Sequence, residues 1–157
     1  MTNKSYKASD VASYFISLGS QTRVGDNEGE FEGITNLKLQ KILYFAQAYY
    51  LVMVGRNLFN DEIQAWEYGP VVPVVYKIYK KHGSDSIIIH ARDSITISDA
   101  DKKYLDKVWD IFGGYSASRL VDMSHAHAPW KDAYSKGQGA VISPLVIYEY
   151  YSSLFGK

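Results

Sequence analysis

The sequence has no cysteine, only 4 prolines, and no long uncharged run among its 157 residues. Without thiols there can be neither a disulfide framework nor a cysteine-ligated metal site. Because every stretch long enough to cross a bilayer contains charged residues, we expect no transmembrane helix. The first residues also lack the apolar run and the small-residue cleavage site of a secretory signal. Together these absences predict a cytoplasmic protein.

Neither sign of charge is in excess, because Lys and Arg total 17 and so do Asp and Glu. Proteins that bind duplex nucleic acid neutralise phosphates and usually carry a basic excess or a basic patch. The nearest feature of this kind is the short lysine cluster at residues 77–82, which ends a predicted helix. Lysines in the last turn of a helix also favour its dipole. The composition therefore argues against nucleic-acid binding.

The residue type in excess is tyrosine, with 14 copies, and aromatic residues make up 15% of the chain. Tyrosine buries its ring while its hydroxyl stays hydrated, so it suits binding surfaces as well as cores. A chain of this length fits one domain, and we assign residues 1–157 to a single domain. Within it, the glycine-rich acidic stretch over residues 21–34 is predicted to be a flexible loop. Its acidic residues lack the spacing of a calcium-binding EF-hand loop.

The strongest local signal is a helical pattern over residues 34–55, in which apolar side chains form two adjacent stripes. Thr35 or Asn36 can cap its start, and Gly55 can end it in a left-handed turn. A helix that is apolar around most of its circumference is buried on several sides, so this is predicted to be the central helix. Within it, the residues expected to need water are Lys38 and Lys41. One further face carries Gln40, Tyr44 and Gln47, and the two buried glutamines are expected to hydrogen-bond neighbouring loops.

The rest of the chain predicts shorter elements around this helix. An extended segment over residues 63–68 is expected to end at Gly69-Pro70, and Pro73 suits the first turn of the next helix. A hairpin is predicted from residues 86–90 and 94–98. Further helices are expected to begin after Ser98 and Ser116, at Pro129 and after Ser143. The predicted fold is mainly α: a compact single-domain helical bundle around one central buried helix, with a small β-hairpin or short β element.

The segment SHAHAPW contains two histidines, His125 and His127, which could serve metal binding, catalysis, or packing and partner contact. A metal site needs a third ligand, and a His-x-His pair points both rings the same way only in a strand. The flanking sequence is helical or turn-like, so the two rings should diverge. We therefore favour the structural interpretation, in which His125 ties its helix end to Gly69-Pro70 or to the central-helix glutamines. His127 is expected to face solvent.

The sequence offers little for catalysis. The serines near His125 are in no GxSxG-like turn, and the acidic residues are scattered and form no paired motif on a helix. The G-x-G at residues 137–139 does not follow a strand, so it does not predict a dinucleotide site. We accordingly assign no catalytic, cofactor-binding or metal-ligating residue and interpret the chain as a non-enzyme that needs no cofactor.

Three stretches in order resemble the Panacea domain, a family also called the phage-associated or SocA-like antitoxin domain, from about residue 10 to residue 154. In the central helix the matching residues are Leu39, Gln40, Lys41, Tyr44 and Gln47. In the second motif they are Trp66, Tyr68, Gly69, Pro70, Val71, Pro73 and Tyr76. In the third they are His125, Pro129 and Trp130. The chain departs from the family in having Val74 where an acidic residue is frequent, and in its long loop before residue 34.

The resemblance implies an antitoxin that neutralises a co-encoded toxin by direct binding, in a toxin–antitoxin or prophage-linked locus. One branch of the family is thought to deliver its toxin to a protease, so the resemblance also implies a protease or chaperone as a further partner. The motif residues above are the candidates for partner contact, with Trp66, Tyr68 and Tyr76 first because interface hot spots favour aromatic side chains. A packed aromatic core is the other explanation for Trp66. Two alternatives stay open: an enzyme that reverses toxin chemistry or acts on a nucleotide-type substrate through His125, and a DNA-binding autoregulator.

Overall fold

The computed structural model describes residues 5–21, 33–88 and 96–156. Within these ranges the chain forms seven α-helices and five short strands. The helices are α1 (Ala8–Ser20), α2 (Asn36–Val54), α3 (Pro73–Tyr79), α4 (Asp99–Phe112), α5 (Ala117–His125), α6 (Ala128–Tyr134) and α7 (Pro144–Leu154). The strands are β1 (Ile34–Thr35), β2 (Gln64–Trp66), β3 (Gly69–Val71), β4 (Ser86–Ile87) and β5 (Ala140–Val141). The mainly α fold with a small β element is confirmed.

Helix α2 is the centre of the molecule, as the sequence predicts. It packs against α1, α4, α5, α7 and strand β3. The Thr35 hydroxyl accepts a hydrogen bond from the backbone N–H of Lys38, and Gly55 ends the helix with a φ of 89°. The expectation that Lys38 and Lys41 face water is wrong, because both are buried. Their stems contribute apolar surface, and their amines donate to backbone carbonyls, of Gly113 and Pro70 respectively.

Strands β2 and β3 form an antiparallel hairpin in which Ala65 lies opposite Pro70, and β5 pairs with the other edge of β2. The prediction that the chain breaks at Gly69-Pro70 is therefore wrong. The turn lies at residues 67–68, and Gly69-Pro70 begins the second strand. Proline is compatible with this position because β3 is an edge strand, where its missing N–H breaks no ladder hydrogen bond.

The other β element differs from the predicted hairpin. Strand β4 pairs antiparallel with β1, with Ile34 opposite Ile87. Residues 96–98 form no strand, and residues 89–95 lie outside the described ranges. Most of the expected loop, residues 22–32, also lies outside them.

The helix starts predicted in the second half of the chain are confirmed. The hydroxyls of Ser98, Ser116 and Ser143 each accept a hydrogen bond from a backbone N–H of the first turn of α4, α5 and α7. Pro129 lies in the first turn of α6. In the described part of the chain, no helix combines the length and the apolar composition needed to cross a bilayer.

Candidate functional site

A cleft of about 390 Å³ opens between the first turns of α2, the β2–β3 hairpin and the segment that follows α3. Four of the candidate partner-binding residues line it, namely Gln40, Trp66, Tyr68 and Tyr76. The remaining lining residues are Asn36, Leu37, Lys41, Glu67, Val71, Lys80, Gly83, Ser84 and Gln138. Folding therefore brings the first and second sequence motifs together around one concave surface.

The floor of the cleft is a buried amide network that holds the end of β3. The backbone N–H of Val72 donates to Oε1 of Gln40 at 2.9 Å. Nε2 of Gln40 donates to Oδ1 of Asn36 at 2.9 Å, and Nδ2 of Asn36 donates to the carbonyl of Tyr76 at 3.2 Å. Because these amides are already paired within the protein, they fix the shape of the cleft.

Lys41 lies in the same floor, with none of its surface exposed. Its Nζ donates to the carbonyl of Pro70 at 3.1 Å. Burial lowers the pKa of Lys41 from 10.5 to about 7, because the charged form loses its hydration. No carboxylate among the described residues forms an ion pair with this amine. The sequence signal for its burial was the helix itself, since a helix covered on nearly every side leaves no face for a solvated lysine.

Gly69 is the position where the hairpin comes closest to α2. Its φ of 109° lies in the region that favours glycine. A Cβ atom at this position would lie 2.6 Å from Cε of Lys41 and 3.0 Å from Oγ of Ser124. The glycine of this motif is therefore required both by its backbone conformation and by its close contact with the buried lysine.

Aromatic side chains form the walls of the cleft. The rings of Trp66 and Tyr76 meet edge to face, with centroids 5.1 Å apart. Nε1 of Trp66 donates to the side-chain oxygen of Gln64 at 2.9 Å, and its ring is half-buried. Tyr68, at the turn of the hairpin, is 62% exposed. Trp66 is thus part of the wall, whereas Tyr68 projects from the rim.

The SHAHAPW segment contacts this hairpin through residues that do not line the cleft. His125 stacks on Trp130 with ring centroids 4.0 Å apart, and Nε1 of Trp130 donates to the carbonyl of Trp66 at 2.8 Å. The segment therefore contacts the hairpin next to Gly69, as expected, but through the indole of Trp130 rather than the imidazole of His125. Nε2 of His125 is buried and has no hydrogen-bond partner among the described residues.

The expectation that His127 faces solvent is wrong. The ring is half-buried, and its Nδ1 lies 2.7 Å from the hydroxyl of Tyr151 in α7. That hydroxyl lies 3.0 Å from the hydroxyl of Tyr44, which continues a buried polar chain into the core. Burial lowers the pKa of His127 and raises the pKa of both tyrosines. The contact joins residues 24 positions apart, which no local pattern in the sequence indicates.

The other candidate residues have supporting positions. Gln47 is buried away from the cleft and bonds the loop after α2: its Nε2 donates to the carbonyl of Phe59, and its Oε1 accepts from the N–H of Leu58, each at 2.8 Å. The predicted loop-bracing role of the glutamines is thereby confirmed. Pro73 and Pro129 occupy the first turns of α3 and α6.

Metal-ligating side chains do not gather in the described part of the chain, where no group of three or more could hold an ion. The two histidines of SHAHAPW contact different partners, Trp130 and Tyr151. The geometry of the cleft, an aromatic wall over a fixed polar floor, suits recognition of another molecule.

A family model described as "Antitoxin SocA-like, Panacea domain" matches residues 39–131. The match covers more than half of the chain and includes most of α2, the hairpin and the SHAHAPW segment. The chain belongs to the Panacea-domain family. The resemblance inferred from the motifs is thus confirmed.

A curated relative of this Panacea-domain protein is Antitoxin SocA of Caulobacter vibrioides, which is 40% identical over 118 residues. The aligned region is 68% of this chain and 62% of that relative, so the chain matches somewhat less than two thirds of the relative's length. No solved structure matches the chain.

Proposed function

We propose that this Panacea-domain protein is an antitoxin that neutralises a co-encoded toxin by binding it directly. Support comes from its family and from the curated relative that is named an antitoxin. The observation that carries the proposal is the clustering of motif residues from two separate stretches around one open cleft. Motif residues that only stabilise the core would not be expected to line a concave surface that is open to solvent.

The rim of the cleft has the composition of an interface. Hot spots are enriched in tyrosine and tryptophan and lie where a rigid aromatic group can fill a partner's pocket. Tyr68 is exposed at the tip of a hairpin that Trp130 and Lys41 hold in place. Because the hairpin is held from both sides, Tyr68 loses little backbone freedom on binding, which favours affinity.

The test is co-expression of this chain with the product of the neighbouring open reading frame. We expect restored growth and a complex that co-purifies. Tyr68→Ala should weaken the complex, whereas the matched control Tyr148→Ala, which removes an exposed tyrosine from α7, should leave it unchanged. Restored growth without a complex would instead favour an enzyme that reverses the toxin's chemistry. A gel shift with the protein's own promoter DNA tests the autoregulator alternative.

A further inference from the structure

We infer that the cleft receives an acidic segment of the toxin, in which one apolar side chain enters the cleft and adjacent carboxylates meet the lysines beside it. The inference rests on the proposed function and specifies the chemistry of the partner.

The cleft itself favours an apolar anchor. Its volume of about 390 Å³ is near the lower end of the range of about 300–1,000 Å³ that is typical of ligand pockets. Trp66, Tyr76 and Val71 contribute apolar surface to the walls. The amides of Gln40 and Asn36 in the floor already have hydrogen-bond partners. A side chain that enters therefore gains more from apolar contact than from new hydrogen bonds.

The charges around the cleft favour carboxylates next to that anchor. Lys80 lines the cleft, and Lys77 and Lys81 are exposed on the same stretch of chain. None of the three forms an ion pair with a carboxylate among the described residues. The acidic residue in the described lining is Glu67, and Asp85 is exposed on the same stretch of chain as the lysines. The three lysines thus outnumber these two carboxylates, although the whole chain is neutral. Such a local excess attracts an acidic partner and fixes its orientation.

An acidic protein segment fits these observations better than nucleic acid does. Three neighbouring lysines neutralise few phosphates, and the chain has no overall basic excess to add to them. Duplex nucleic acid presents a convex charged backbone, which has no apolar group to place between the aromatic walls of the cleft. A peptide that alternates apolar and acidic side chains can satisfy the cleft and the lysines together.

The experiment is affinity measurement of the complex with the product of the neighbouring open reading frame, at about 50 and about 300 mM salt. The variant is Lys77→Glu with Lys80→Glu, and the matched control is Lys103→Glu with Lys107→Glu on the exposed face of α4. All four lysines are exposed, and thermal unfolding of each variant checks that the fold is intact. We expect the cleft variant to weaken binding at least about tenfold and to reduce the salt dependence, whereas the control binds as the wild type does.

Each other outcome contradicts the inference in a distinct way. A wild-type complex that the cleft variant leaves unchanged overturns the acidic segment but not the antitoxin proposal. Absence of any wild-type complex overturns both. If the cleft variant abolishes a gel shift of duplex DNA while the toxin complex persists, the lysines serve nucleic acid. If it abolishes self-association while the toxin complex persists, the cleft holds a second copy of this chain.

Discussion

Replacing Lys41 by methionine should change how the stability of the protein depends on pH. In the unfolded chain this amine has an ordinary pKa of 10.5, whereas in the folded protein burial lowers its pKa to about 7. The difference corresponds to about 5 kcal/mol of free energy that opposes folding when the amine is charged in both states. The hydrogen bond to Pro70 does not compensate for the hydration that the buried amine loses.

The sign follows from which state binds the proton. Between about pH 7 and pH 10.5 the unfolded chain holds a proton that the folded protein lacks, so the free energy of unfolding rises with pH by up to about 1.4 kcal/mol per pH unit. Below about pH 7 both states are protonated and the slope vanishes. From about pH 7 to about pH 9.5 the contribution of Lys41 should raise the stability of the wild type by about 3 kcal/mol. Lys41→Met lacks this pH-dependent contribution to stability.

The assay is urea unfolding followed by tryptophan fluorescence at a series of pH values. The quantity of interest is the stability of Lys41→Met minus that of the wild type, because groups common to both proteins cancel. This difference should fall by about 3 kcal/mol over the interval, whatever its value at about pH 7. The control Lys103→Met removes an exposed lysine and shows how the loss of a surface cation alone changes the stability. A flat difference for Lys41→Met would refute the reasoning that its amine is buried with no carboxylate of the described residues beside it.

Three further substitutions test the supporting structure, each by chemical or thermal unfolding. Gly69→Ala should destabilise the protein by about 2 kcal/mol or more, because the φ of 109° is strained for alanine and the new methyl group would meet Lys41. A destabilisation of only a few tenths of a kcal/mol would contradict the close approach of the hairpin to Lys41. Gln47→Leu should lower the free energy of unfolding by about 2 kcal/mol or more, because it leaves two buried backbone groups of the following loop without partners. An unchanged melting temperature would show that water replaces the two lost hydrogen bonds. The wild type should lose stability as pH falls below about 6.5, because the pKa of His127 is lowered in the folded state and the unfolded chain takes up the proton first. His127→Phe gives up the contact with Tyr151 and should lose less stability over the same pH interval. An equal loss in both proteins would assign the effect to other groups.

Local signals in the sequence were sufficient for most of the helices. Ser98, Ser116 and Ser143 each precede a helix that they cap, and the caps depend on chemistry within one turn. The central helix followed from apolar residues on most of its circumference, and its glutamines were expected to bond loops because a buried amide needs partners. Each of these features depends on residues that lie close together in the sequence.

The errors arose where distant segments decide the outcome. Lysine is rarely buried, so Lys41 was expected in solvent; its burial depends on β3, whose Pro70 carbonyl accepts its hydrogen bond from 29 positions away. The expectation that His127 faces solvent is wrong because its partner, Tyr151, belongs to the last helix. Strand β4 pairs with β1, more than fifty positions earlier, instead of forming a local hairpin. The periodicity of the central helix indicates that Lys41 is covered, but neither polarity nor periodicity identifies the distant residues that contact Lys41, His127 or strand β4.

The cleft residues do not divide into a structural set and a binding set. A two-stranded hairpin is marginally stable by itself, and here Gln40 and Lys41 hold the backbone at Val72 and Pro70, while Trp130 holds it at Trp66. The conformation that presents Tyr68 thus depends on polar side chains of the central helix that a partner need not touch. Under the proposed function, a substitution at Gln40 should weaken the complex with the toxin, because it lowers the fraction of molecules whose hairpin has the conformation that presents Tyr68. This explains why motif residues lie both in the core and on the rim: they form one unit, in which buried polar contacts determine the shape of an exposed aromatic surface.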